Sequence, residues 1–182
     1  MQVREGKATV DDLVAFKQSV PGIVAREAWS KKAGTPVSYA TTDYFGVHSF
    51  YLETPEGKKP FRWTLSPVEG IERTFTPKEL SPNAYEVALR ESLKAGDIAF
   101  EWTATWGTDQ DDIDDPGVLW PDDREQASFG QITITGWAED FCDAFTFDPV
   151  LVSKGFSISG DPVLPMRSAA YHISFGQRIS GE

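Results

Sequence analysis

Cysteine is almost missing from this 182-residue chain. Cys142 stands alone, which excludes an internal disulfide and any cysteine-ligated metal cluster. Histidine is nearly as scarce, at His48 and His172 only. Positive charge is also short. There are 17 Lys and Arg against 28 Asp and Glu, a net charge of −11. With no basic patch interleaved with aromatics, this argues against nucleic acid or an anionic membrane surface as partner. No run of about 18 apolar residues occurs, so no membrane span is expected. The opening residues MQVREGKATVDD hold no apolar leader core, so no signal peptide is expected in this chain. The compartment stays open between cytoplasm and periplasm.

Aromatic residues, by contrast, are plentiful: 12 Phe, 6 Trp and 5 Tyr. They suit a sheet-rich core or a pocket for a flat apolar ligand. The length allows one domain with a proper core, taken as residues 1–182. No internal repeat or low-complexity tract is evident.

Thr9 with Asp11 and Asp12 marks a helix start, since acidic side chains are favourable there. Val10, Leu13, Val14 and Phe16 give that helix a short apolar face, and Pro21-Gly22 breaks it. A second helix over 22–33 ends at Gly34. Both are short and need a tertiary partner. Residues 36–42 read as extended or loop. Alternation over 45–53 predicts a strand, Pro55-Glu56-Gly57 a turn, and 61–66 the returning strand. His48 on this hairpin reads, from the residues alone, as a histidine on a strand face. A helix spans 76–95, with Thr76-Pro77 at its start, a break available at Ser81-Pro82 and Gly96 as its stop. A strand covers 98–106. The acidic run DQDDIDD fails a calcium-loop spacing, because Ile113 takes a ligand position and no glycine follows at the turn. It is expected to be a solvated loop. A strand follows over 129–135 with Ile132 and Ile134 facing inward, then a short helix over 139–146, Phe147-Asp148-Pro149, and a loop over 155–160.

The stretch DPVLPMRSAAYHISFGQR, residues 161–178, carries the chemistry. Asp161-Pro162 opens it as a turn, and Pro165 suits the first turn of a helix. Arg167 and Tyr171, four residues apart, then lie on one helical face. A guanidinium beside a phenol favours the phenolate. Tyrosine is one of the few side chains that ligate ferric haem. The pair alone fits two readings: an iron ligand with its partner, or a surface arginine over a packed tyrosine.

The wider wording resembles the proximal segment of catalases, and more closely that of the small catalase-related peroxidases. The likeness runs in order through the histidine of the hairpin, V-L-W-P at 118–121, F-G-Q-I-T-I at 129–134, F-D-P at 147–149 and the segment 161–178. It implies an α+β fold: antiparallel strands forming the second half of a catalase-type β-barrel with packed helices. It implies haem b as cofactor, with Tyr171 as axial iron ligand and Arg167 keeping it ionised. His48 and Asp161 continue the relay, Arg178 pairs with a propionate, and Phe147 touches the haem face. It implies a haem-dependent peroxidase acting on hydrogen peroxide or organic peroxides with a small-molecule reductant. The family's distal histidine and asparagine belong to the preceding half-domain. This chain holds no spare histidine, so no catalytic residue of that kind is expected in it. The alternative is a haem-binding remnant without turnover. Either way, the chain is expected to associate with copies of itself or with a partner supplying the N-terminal half.

Overall fold

The computed structural model describes residues 9–74, 81, 83–138 and 145–180. Helices α1 (Val10–Ser19) and α2 (Pro21–Ala33) come first. Strands β1 (Thr35–Pro36), β2 (Tyr44–Phe45), β3 (Phe50–Thr54), β4 (Gly57–Pro67) and β5 (Arg73–Thr74) follow, with a 3-10 turn at Tyr39–Thr41. Next are α3 (Ala84–Ala95), β6 (Ile98–Trp106), β7 (Gln126–Ile134), β8 (Phe156–Ile158) and α4 (Val163–Ser180). The fold is α+β with antiparallel pairing, as expected.

One sheet has the order β7-β6-β4-β3-β8, with β2 also paired to β4. A separate two-stranded pair joins β1 and β5. Strands sit about 4.8 Å apart, so a flat sheet would hold β7 and β8 roughly 19 Å from one another. Yet the rings of Phe129 on β7 and Phe156 on β8 are 6.3 Å apart. The sheet therefore curls, and it curls around Phe61, whose ring meets Phe129 at 5.3 Å and Phe156 at 5.9 Å. A bulge aids this. Trp102 pairs with Gly130 and Thr103 with Ser128, leaving Phe129 as the extra residue. Gly130 has φ +110°, a conformation that favours glycine. This aromatic core also holds Ala104 and Trp106. A second cluster, Ala40, Ile98 and Phe100, lies further along β6 and is covered by Leu89 and Leu93 of α3.

Several boundaries differ from the sequence expectations. The strand predicted over 45–53 is broken, because residues 46–49 leave the ladder between β2 and β3. Its return strand is longer than expected, starting directly at Gly57 after a two-residue loop. The predicted loop over 155–160 contains β8, which three residues of pairing with β3 hold in place. A strand so short leaves no alternation to read. Strand β7 starts at Gln126, ahead of the expected 129. Ile134 packs on the second cluster as expected, but Ile132 remains 42% exposed, because β7 ends the strand path. The third helix starts at Ala84; the helix start expected at Thr76 and the break at Pro82 lie outside the described residues, as do 139–144 of the short helix expected over 139–146. Residues 145 and 146 have no regular structure. Helices α1 and α2 contain no buried residue.

Candidate functional site

The site forms where β3, its lead-in and the start of α4 meet. Asp161 sits at the entry of α4, where its Oδ1 accepts the Val163 N–H at 2.8 Å. That contact stabilises the helix start, since the first N–H groups lack intrahelical partners. The other carboxylate oxygen faces back to the hairpin. His48 Nδ1 lies 2.6 Å from Asp161 Oδ2. His48 Nε2 lies 2.8 Å from Arg167 NH1. Arg167 NH2 in turn donates to the Tyr171 phenol oxygen at 2.7 Å. A guanidinium only donates, so Nε2 must accept and Nδ1 carries the ring proton that Asp161 receives. The chain of contacts is therefore directional: phenol oxygen, guanidinium, imidazole, carboxylate.

Burial makes this arrangement rigid. Asp161 is 1% exposed, His48 7% and Ser49 1%. A carboxylate buried to that degree is costly unless it is hydrogen-bonded, and both its oxygens are. Leu164, fully buried one turn ahead of Arg167, anchors the helix beneath the site. Thus four of the expected residues, Tyr171, Arg167, His48 and Asp161, come together although His48 is 113 residues from Asp161 and 119 from Arg167.

The other two expected residues stand apart from that network. Arg178 is exposed on α4, donating to Ser174 Oγ at 3.3 Å and to the Phe145 carbonyl at 3.2 Å. Phe147 is 75% exposed. Its neighbour Asp148 is what grips the helix. The Ser168 hydroxyl donates to Asp148 Oδ2 at 2.5 Å, and the Val150 N–H donates to Oδ1 at 3.0 Å. These bonds, with a smaller contribution from His172, hold the Asp148 carboxyl below the usual carboxylate range. His172 itself lies on another side of the helix. Its Nδ1 is 2.8 Å from the Ser168 carbonyl oxygen and 3.6 Å from Asp148 Oδ2.

Sequence reasoning missed the supports behind the relay. Arg62 donates to Ser49 Oγ and to the carbonyls of Val118 and Asp115, with its guanidinium 4.4 Å over Trp120. Burial works against the charge on Arg62, while Asp111, Asp112, Asp115 and Asp161 support it. The acidic run is also less solvated than expected. Asp111 forms a two-pronged pair with Arg124, each contact 2.9 Å, and its carboxyl is held down at about 2 by that arginine. Alternation along β4 places Arg62 on the face opposite Phe61, a signal too weak by itself to name a role.

Comparison with known proteins gives the chain's relatives and its fold. No family model matches the chain. A catalase-related peroxidase of Synechococcus elongatus is 31% identical over 183 residues, covering 97% of this chain and 54% of that protein. One from Mycolicibacterium paratuberculosis is 31% identical over 145 residues, covering 76% of this chain and 46% of the relative. In sequence the chain is thus similar to catalase-related peroxidases over most of its own length. It spans about half the length of the curated relatives it matches. Solved catalases share its fold. A bacterial catalase superimposes with TM-score 0.76 at 18% identity, over 91% of this chain and 36% of that one. Catalase A from Saccharomyces cerevisiae gives 0.73 at 18%, over 93% and 37%.

Proposed function

We propose that this chain carries the proximal half of a tyrosine-ligated haem b site in a catalase-type peroxidase. The observation that supports it most is the unbroken run of contacts from Tyr171 through Arg167 and His48 to Asp161. The residues fit such a group. A phenol oxygen suits a hard ferric ion, and the Arg167 guanidinium fixes where that oxygen stands. Iron bound there would supply the redox chemistry with peroxide.

The chain's own side chains supply the rest. Tyr171 binds. Arg167 holds the phenol oxygen and orients it. His48 fixes the guanidinium through Nε2, and Asp161 fixes the ring by accepting its Nδ1 proton. Groups of this outer kind set the basicity of a ligand and are costly to remove. Arg178 pairs with a propionate, as guanidinium geometry suits a carboxylate, and Phe147 offers an exposed ring to the haem face. Hydrogen peroxide or an organic peroxide is the substrate in this reading, with a small-molecule reductant.

One observation favours a second reading, a haem-binding unit without turnover of its own. Both histidines are engaged on the proximal side, His48 in the relay and His172 on the Ser168 carbonyl. Neither can move a proton at the other face of the haem, which is general acid–base work.

A haem titration followed by absorbance tests the site, with Tyr171→Phe alongside. Saturation near one haem per chain, with a high-spin ferric spectrum lost in the variant, is the expected result. No specific binding overturns it. Peroxide turnover with a reducing dye then separates the two readings.

A further inference from the structure

The acidic loop touches both residues that flank the relay's outer pair. On one side, Asp114 Oδ1 accepts the N–H of Gly160 at 2.7 Å, and Gly160 immediately precedes Asp161. A Cβ on Gly160 would lie 2.7 Å from Asp114 Oδ2, so any larger residue there would push the Asp114 carboxylate aside. On the other side, Arg62 Nε donates to Ser49 Oγ at 3.1 Å, and Ser49 immediately follows His48. The remaining nitrogens of Arg62 donate into the loop, to the Val118 carbonyl at 2.7 Å and the Asp115 carbonyl at 3.0 Å.

His48 and Asp161 belong to different elements, 113 residues apart, so no local geometry fixes their separation. A hydrogen bond near 2.6 Å loses most of its strength if its partners drift by a fraction of an ångström and tilt. The β3–β8 pairing joins the two elements, with the Ser159 N–H donating to the Ser49 carbonyl at 3.4 Å, and the loop adds a second hold, on Gly160 directly and on Ser49 through Arg62.

We propose that Asp114 and Arg62 are positioning residues, which through this loop set the separation of His48 and Asp161 and so the direction in which His48 Nε2 meets Arg167. The consequence for cofactor affinity rests on the haem reading above; the positioning itself does not.

Proton NMR of the chain without haem tests it. A ring proton shared with a carboxylate at this distance resonates far downfield of the amides. With only two histidines, His48→Gln assigns it. Asp114→Ala and Arg62→Gln should shift that resonance upfield or broaden it away. Haem affinity should fall on the order of tenfold, the lower end of what outer-shell changes cost. Asp114→Asn keeps an oxygen for the Gly160 N–H and should restore both, and Asp109→Asn should change neither. An unmoved resonance in a folded Asp114→Ala chain overturns the proposal, whatever happens to its melting temperature. The same holds if Asp109→Asn moves the signal equally, since loop charge and not contact would then be acting. Should Arg62→Gln fail to fold, the exposed Asp114 decides alone. A resonance that responds as expected in a chain that binds no haem leaves the positioning intact and overturns only the haem reading.

Discussion

The helix pair at the start of the described chain and the relay at its end are held in opposite ways. Helices α1 and α2 are secured locally. Thr9 and Asp12 form a reciprocal cap, with Asp12 N–H to Thr9 Oγ1 at 3.2 Å and Thr9 N–H to Asp12 Oδ2 at 2.8 Å. Lys17 and Glu27 pair across the two helices at 2.9 Å, with both side chains about half exposed. Neither helix buries a residue, and Val10 and Phe16 stay 68% and 59% exposed. In the relay only the Arg167–Tyr171 contact and the Asp161 cap are local. Its middle depends on partners more than a hundred residues apart, with His48 and Asp161 withdrawn from water. Local hydrogen bonds and exposed ion pairs each contribute little, because water competes for them. The long-range contacts persist because the curled sheet and α4 already fix where their residues stand.

The sharpest way to break this contrast is Phe61→Ala, at the centre of the aromatic core. It should cost about 3–5 kcal/mol, the range for emptying a buried aromatic site. Equilibrium denaturation reads the loss, and the His48 resonance should vanish with it. A relay signal that survives unchanged would mean the site does not depend on the sheet.

Strong acid should weaken the brace behind the site. The Asp111 carboxyl is held at about 2 by Arg124. Its folded value is thus depressed below the unfolded value near 3.9. The stability it contributes is fully present above that unfolded value and lost as pH falls through about 2. Asp111→Asn should therefore be less stable at neutral pH, with a flatter stability profile between about pH 4 and pH 2. Denaturant titrations across that window check it; parallel profiles for the two proteins would remove Asp111 from the account.

The smallest effect is expected on α1. Phe16→Ser should change stability by no more than about 0.5 kcal/mol, as for exposed positions generally. It should, however, reduce self-association on sedimentation at high concentration, because an exposed apolar face favours it. A large loss of stability would show that α1 is far better packed than its exposure suggests.

The long elements were legible because their signals are local. Thr9 starts α1, Gly96 ends α3, and the β-rich run over 98–106 is a strand, each for reasons contained in a few residues. Strand β8 was not legible, since Phe156, Ser157 and Ile158 acquire strand character only by pairing with β3. The broken hairpin was missed because residues 46–49 continue the apparent pattern of the strand while forming no ladder pairs with β4. Within the site, the spacing of Arg167 and Tyr171 was readable from helix geometry. His48 and Asp161 joined them in the sequence reading only through a family likeness. Arg62, Ser49, Asp114 and Asp148 carried no signal, because their roles exist only in contacts across the fold.

The sequence by itself determined which segments coil and extend, the helical face shared by Arg167 and Tyr171, the near absence of cysteine and histidine, and the strong negative charge. Those follow from periodicity, from turn and cap chemistry, and from counting. The tertiary structure alone decided that the sheet curls around Phe61, that His48 meets Asp161, and that an acidic run becomes a brace. Each of these brings groups far apart in the chain into contact, within about 3 Å where a hydrogen bond forms, and no local propensity encodes that.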